Sequence, residues 1–226
     1  MSVDASKTQL FDGLAAVGKA LSSGRRLELL SVLSQAPRSV EQVAAEIGQS
    51  VANTSSHLRV LLGVGLVQAE RDGNRVVYRL AGPAVEDLWS ALRATAEAHL
   101  AAIDRLMGDY LGDRSRLETI TRAELVERLG GGDAPVVLDV RPAAEFAAGH
   151  VPGAISIPPP ELEARLQRLS PETDVVAYCR GPFCIYADEA VRALQAAGWK
   201  ARRLEDGFPE WRRAGLPVAV GDEAGG

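Results

Sequence analysis

A polar, glycine-broken stretch, Gly108-Asp-Tyr-Leu-Gly-Asp-Arg-Ser-Arg116, divides this 226-residue chain into halves whose apolar residues keep different periods. Before it, apolar positions recur every three or four residues, the spacing of amphipathic helices. After it, short apolar runs alternate with helical ones, the pattern of an α/β layer fold. The length suits two modest domains better than one. The expected boundaries are 8–108 for the first, 109–116 for a linker and 117–219 for the second. The expected fold class is therefore two domains, a mainly α one followed by an α/β one with a mainly parallel sheet.

In the first half, Leu10, Leu14, Val17 and Leu21, then Leu27, Leu30 and Leu33, predict two helices broken at Ser22-Ser23-Gly24. Ala36-Pro37-Arg38 reads as a turn. Ser39 with Gln42 makes a capping box that opens a third helix ending at Gly48, and Ser50 caps a fourth reaching about Gly63. On that fourth helix Val51, Ser55, Leu58 and Leu62 share one face. Asn53, Thr54, Ser56, His57 and Arg59 are expected on the other, a polar face able to read base edges and phosphates in a major groove. Two strand-like runs, 66–71 and 75–80, flank Asp72-Gly73-Asn74, a hairpin signal, and Arg71 and Arg75 border its tip. Helix, turn, helix and basic-tipped hairpin make a winged helix-turn-helix, in which both arginines are expected on DNA. Val85, Leu88, Trp89, Leu92, Ala96, Leu100, Ile103, Met107 and Tyr110 then form a long apolar stripe, read as one helix over 83–110. A lone helix does not bury so long a stripe, so its expected partner is the same helix of a second subunit.

In the second half, Leu117 to Ile120, Val136 to Val140, Ala154 to Ile157, Asp174 to Tyr178 and Lys200 to Leu204 read as strands. Between them fall helices opened by Thr121 with Glu124, and over 160–169 and 187–198. Both cysteines of the chain lie in one loop, Cys179-Arg180-Gly181-Pro182-Phe183-Cys184, where a strand gives way to a helix. Such a junction gathers backbone N–H groups at the positive end of a helix dipole and stabilises an anion, here the Cys179 thiolate. Two cysteines five positions apart are not a secreted disulfide framework. They point to thiol chemistry, with Cys179 as nucleophile and Cys184 as a second thiol able to attack a persulfide or hold a bridging polysulfide. A direct bridge needs Cα atoms within about 7 Å.

The segments 55–61, Gly65-Leu66-Val67 and 71–78 resemble the ArsR/SmtB repressors across roughly residues 8–108. The resemblance implies a homodimer on double-stranded operator DNA. This half holds no cysteine, and His99 with Glu97 and Asp104 is a poor zinc set, so no metal and no cofactor are expected. The segments 138–142, 145–154 and 207–217, with the cysteine loop between them, resemble the rhodanese domain across about 115–219. That implies persulfide formation on Cys179, with Arg180, Gly181, Pro182 and Phe183 in the active-site loop and Asp139 and Arg141 supporting it. An alternative reading makes Asp139 and Arg141 one structural ion pair with Glu145. The sixth loop position, commonly basic in family sulfurtransferases, is Cys184, and Arg180 is the loop's one cation.

The net charge of −5 argues against nonspecific coating of nucleic acid. No run of about 18 apolar residues appears, so no membrane span is expected. The opening Met1-Ser-Val-Asp-Ala-Ser-Lys7 lacks signal-peptide regions, which predicts the cytoplasm. The leading expectation is a DNA-binding repressor that senses or carries reactive sulfur from a sulfane-sulfur donor or polysulfide at Cys179. The alternatives are an autoregulatory sulfurtransferase and a metalloid-responsive or arsenate-reducing thiol protein.

Overall fold

The computed structural model describes residues 3–166 and 173–221, in two compact units, Met1–Ala98 and His99–Gly226. Unit 1 contains α1 (Val3–Leu21), α2 (Gly24–Leu33), β1 (Arg38–Ser39), α3 (Val40–Glu46), α4 (Val51–Gly63), β2 (Val67–Asp72), β3 (Arg75–Leu80) and most of α5 (Pro83–His99). The capping box forms as its spacing requires: Ser39 Oγ accepts from Gln42 N while Gln42 returns a bond to Ser39 N. Ser50 Oγ accepts from Asn53 N and opens α4. The predicted turn at Arg38 is instead a short strand, with β1 pairing antiparallel to β3 through Arg38↔Tyr78. The β2–β3 hairpin turns at Gly73, whose φ of 58° lies in the left-handed region that glycine tolerates. Leu29, Leu30, Val43, Leu58, Leu61 and Val67 form the core of this unit.

Unit 2 continues with α6 (Ala101–Leu111), β4 (Thr119–Ile120), α7 (Arg122–Leu129), β5 (Val136–Asp139), α8 (Ala143–Ala148), β6 (Ile155–Ser156), a 3-10 turn (Pro159–Glu161) and α9 (Leu162–Leu166). After these come β7 (Asp174–Tyr178), α10 (Ile185–Ala196), β8 (Lys200–Leu204) and α11 (Phe208–Arg213). The sheet order is β4-β8-β7-β5-β6, with every pair parallel. The helix expected over 160–169 begins as the 3-10 turn, and its residues 167–169 lie outside the described ones. The stripe read as one helix over 83–110 is two helices, α5 and α6, interrupted at Leu100, whose backbone is extended (φ −110°, ψ 94°). Apolar spacing continues through the break because it reports which face is greasy, not whether backbone hydrogen bonds cross that point. No helix among the described residues is long and apolar enough to cross a membrane.

Each face of the parallel sheet carries its own core. Val175, Ala177 and Cys179 pack with Val191 and Leu194 of α10 on one side, while Val176 and Tyr178 pack with Phe146, Phe208 and Trp211 on the other. The period-two alternation of a strand thus sends Tyr178 and Cys179 to opposite faces.

Candidate functional site

Unit 1 presents α4 and the hairpin. Asn53, Ser56 and Arg59 are exposed and His57 is half-buried, while Arg71 and Arg75 are exposed on the wing. Thr54 differs from its expected placement: it is fully buried, and its Oγ1 has no hydrogen-bond partner among the described residues. The inner face of α4 is Thr54, Leu58 and Leu61, with Val51 and Leu62 exposed. Leu58 belongs to both the expected and the observed face; Thr54 joins it because its methyl group and stiff β-branch suit a core despite the hydroxyl.

In unit 2, β7 delivers Cys179 and α10 begins just after Cys184. Cys184 is the N-cap of α10, so the helix's first free N–H groups and positive dipole end lie beside it. The two sulfurs are joined in a disulfide, with Cα atoms 6.2 Å apart. Cys179 is buried and Cys184 half-buried. Within the loop Cys184 N donates to Gly181 O at 3.1 Å, and Gly181, at φ 138°, takes a backbone conformation that side-chain-bearing residues rarely adopt.

Arg180 does not stand free to draw in anions. Its Nε and Nη2 grip the Glu145 carboxylate at 2.5–3.1 Å, and Glu145 is fully buried. Glu145 thus forms an ion pair with Arg180, and its charge also acts on Arg141. Asp139 and Arg141 are fully buried and bond each other through Nε and Nη2, with Arg141 Nη2 also donating to Gly149 O at 2.7 Å. The Tyr178 hydroxyl donates to Asp139 Oδ2 at 2.5 Å and accepts from Val151 N at 3.1 Å. Burial and the neighbouring Asp139 charge hold the Tyr178 hydroxyl protonated well past its ordinary range. Asp139 and Arg141 thus brace the strand ends from the face opposite Cys179.

Several residues of the loop's setting were not singled out from the sequence. Arg114 Nε bonds Asp188 Oδ2 at 2.5 Å, its Nη1 donates to Pro182 O at 2.8 Å and its Nη2 to Cys184 O at 3.4 Å. Arg203 Nε pairs with the other Asp188 oxygen at 2.9 Å and its Nη2 donates to Gly181 O at 3.3 Å. Asp188 is fully buried in the first turn of α10 and so organises two arginines against the loop carbonyls. Burial and the nearby Arg114 charge lower the pKa of Arg203. Phe208 N donates to Cys179 O at 3.0 Å. A Cβ on Gly207 would overlap the backbone of Arg180 and Gly181, so the closing Gly-Phe pair is a floor under the loop. An Asp near the start of a helix was the one available sequence signal; the Arg partners carry none, being remote in sequence.

Among the described residues no group of three or more His, Cys, Asp and Glu side chains is placed to hold a metal ion. His150 is buried, with Nδ1 2.9 Å from Phe146 O, and its backbone pairs with Ala219.

Comparison with known proteins bears on both units. Residues 23–69 match the model of bacterial regulatory proteins of the arsR family, and residues 121–214 match that of the rhodanese-like domain. The HTH-type transcriptional regulator Rv0324 of Mycobacterium tuberculosis is 46% identical over 219 residues, covering 97% of this chain and 96% of that protein. The chain belongs to the ArsR family of transcriptional regulators and carries a rhodanese-like domain. A sulfurtransferase of Allochromatium vinosum is 31% identical over 101 residues, 45% of this chain and 94% of its own. Among solved structures, the homodimeric winged helix-turn-helix domain of Mb0332 from Mycobacterium bovis is 42% identical, with TM-score 0.41, covering 42% of this chain and 89% of that one. In this ArsR-family regulator the cysteine loop falls within the rhodanese-like match, and α4 falls within the arsR-family match.

Proposed function

We propose that this regulator is a homodimeric repressor whose rhodanese-like domain senses reactive sulfur at Cys179. The observation that carries the reading is the Cys179–Cys184 pair, near enough to bond and set at a strand-to-helix junction. The Cys179 thiolate attacks a sulfane sulfur of an inorganic polysulfide, the donor's S–S bond breaks, and a shorter polysulfide leaves. Cys179 is then a persulfide. Cys184 attacks its inner sulfur, forming the Cys179–Cys184 disulfide and expelling hydrosulfide, which takes the proton that Cys184 loses. Two thiols are oxidised by two electrons, and one sulfane sulfur is reduced to sulfide.

On the DNA side, Asn53, Ser56, His57 and Arg59 are assigned to the major groove, and Arg71 and Arg75 to phosphates or the adjacent minor groove. Leu10, Phe11 and Leu14 of α1 and Leu88 and Leu92 of α5 are exposed and apolar, as a surface closed by a second subunit would be. Polysulfide treatment is expected to release the operator, and Cys179→Ser to abolish that release. Binding by fluorescence anisotropy, paired with intact-mass spectrometry, tests it; an undiminished response in the variant overturns the sensing role.

A second reading is a turning-over sulfurtransferase, favoured by the likeness to the Allochromatium vinosum protein. It requires repeated sulfur transfer to cyanide or a thiol. Neutralisation of Arg180 by Glu145 and the disulfide partner at the sixth loop position both disfavour it.

A further inference from the structure

The side chain of Arg114 ties the cysteine loop to the segment that leads into its domain. Three donor groups of that guanidinium are engaged at once: Asp188 at the start of α10, and the carbonyls of Pro182 and Cys184 inside the loop. Arg114 stands just after Gly112, the C-cap of α6, and Leu117 N returns to Arg114 O at 3.0 Å. The same segment is held again where Arg192 Nη2 of α10 donates to Asp113 O at 2.8 Å. Covalent connection therefore runs from the wing strand β3 through α5 and α6 to a residue whose side chain ends on the loop.

A guanidinium fork demands acceptors in a fixed planar arrangement. The loop carbonyls meet that demand in the bonded state, where a 6.2 Å Cα separation fixes the curl between Cys179 and Cys184. Opening the bond removes this constraint from the segment that carries both acceptors. Arg203, by contrast, contacts Gly181 O and Asp188 from the sheet and has no sequence link to α6. It keeps Asp188 paired whatever Arg114 does, so the carboxylate is not stranded when Arg114 lets go.

We propose that Arg114 is the positioning residue that reads the state of the cysteine pair, holding residues 111–117 against the loop when the disulfide is closed and releasing them when it opens. The inference rests on the reading that this bond opens and closes in service. It adds the two-state element that any coupling to the DNA-binding unit requires.

The test is hydrogen–deuterium exchange of the full-length protein, reduced with a phosphine or oxidised with diamide, with the cysteine state verified by intact mass. In the native sequence, opening the disulfide is expected to speed exchange of the amides from Leu111 to Leu117 by about fivefold or more, the lower end of ordinary coupling. In Arg114→Ala the oxidised form is expected to exchange as fast as the reduced one. Should Arg114→Ala fail to fold, Arg114→Lys serves instead: it retains a charge for Asp188 but cannot fork across two carbonyls, and it too should lose the difference. Equal protection of 111–117 in both native states, or an undiminished difference in whichever variant folds, overturns the proposal. A disulfide that forms with diamide but never with polysulfide defeats the sulfur-sensing reading alone, leaving the exchange result to decide the role of Arg114.

Discussion

At the residue scale, Tyr178 and Cys179 divide the labour of the strand end. The Tyr178 hydroxyl lies in a buried network with Asp139 and Val151 N, so Tyr178→Phe removes two hydrogen bonds and takes from Val151 N its acceptor, while Asp139 Oδ2 keeps its bonds from Arg141. A loss of about 1–3 kcal/mol in urea unfolding is expected. The alkaline limb offers a second readout. Tyr178 titrates higher folded than its unfolded value of 10.0, so above that pH the unfolded chain loses a proton that the fold retains. Stability contributed by Tyr178 is complete below that value and declines as pH rises past it. Tyr178→Phe should show a shallower decline, measured by unfolding at a series of alkaline pH values; an unaltered slope would remove Tyr178 as its source.

At the element scale, α4 separates positions that the sequence had grouped. Asn53→Ala and Arg59→Ala should each weaken operator binding, by about 1–3 kcal/mol where a base contact is lost. Thr54→Val should leave affinity unchanged, since the side chain is buried and its hydroxyl makes no bond among the described residues. Anisotropy titrations of the three variants decide between these placements. The capping residues Ser39, Ser50 and Thr121 were legible because a cap is a local bond between residues two or three apart. The hairpin was legible for the same reason, through Asp72-Gly73-Asn74. The break at Leu100 was not: no proline or glycine marks it, and the apolar stripe passes through it. Nor were α8 and α11, each six residues long and too short to display a helical period.

At the scale of the whole molecule, both families were visible as strings of residues, while the loop's supports were not. Arg114, Asp188 and Arg203 meet only because the segment after α6, helix α10 and strand β8 come together, and no sequence spacing encodes that meeting. Assembly belongs to this scale too. Leu14→Glu on exposed α1 is expected to shift the protein toward monomer in sedimentation and to weaken operator binding, since one half-site then engages alone. A dimer with unchanged affinity would place the subunit interface elsewhere. The sidedness of β7 reaches beyond packing. A protein that reports by covalent change is chemically worn at each report, with its sulfur oxidised and restored many times over. Because the neighbouring Tyr178 faces the other way, in the sensing role proposed above that wear would fall on the sheet face that carries Cys179 and not on the face where Tyr178 braces the strand ends, and the molecule would be spent and renewed as a messenger without ageing as a fold.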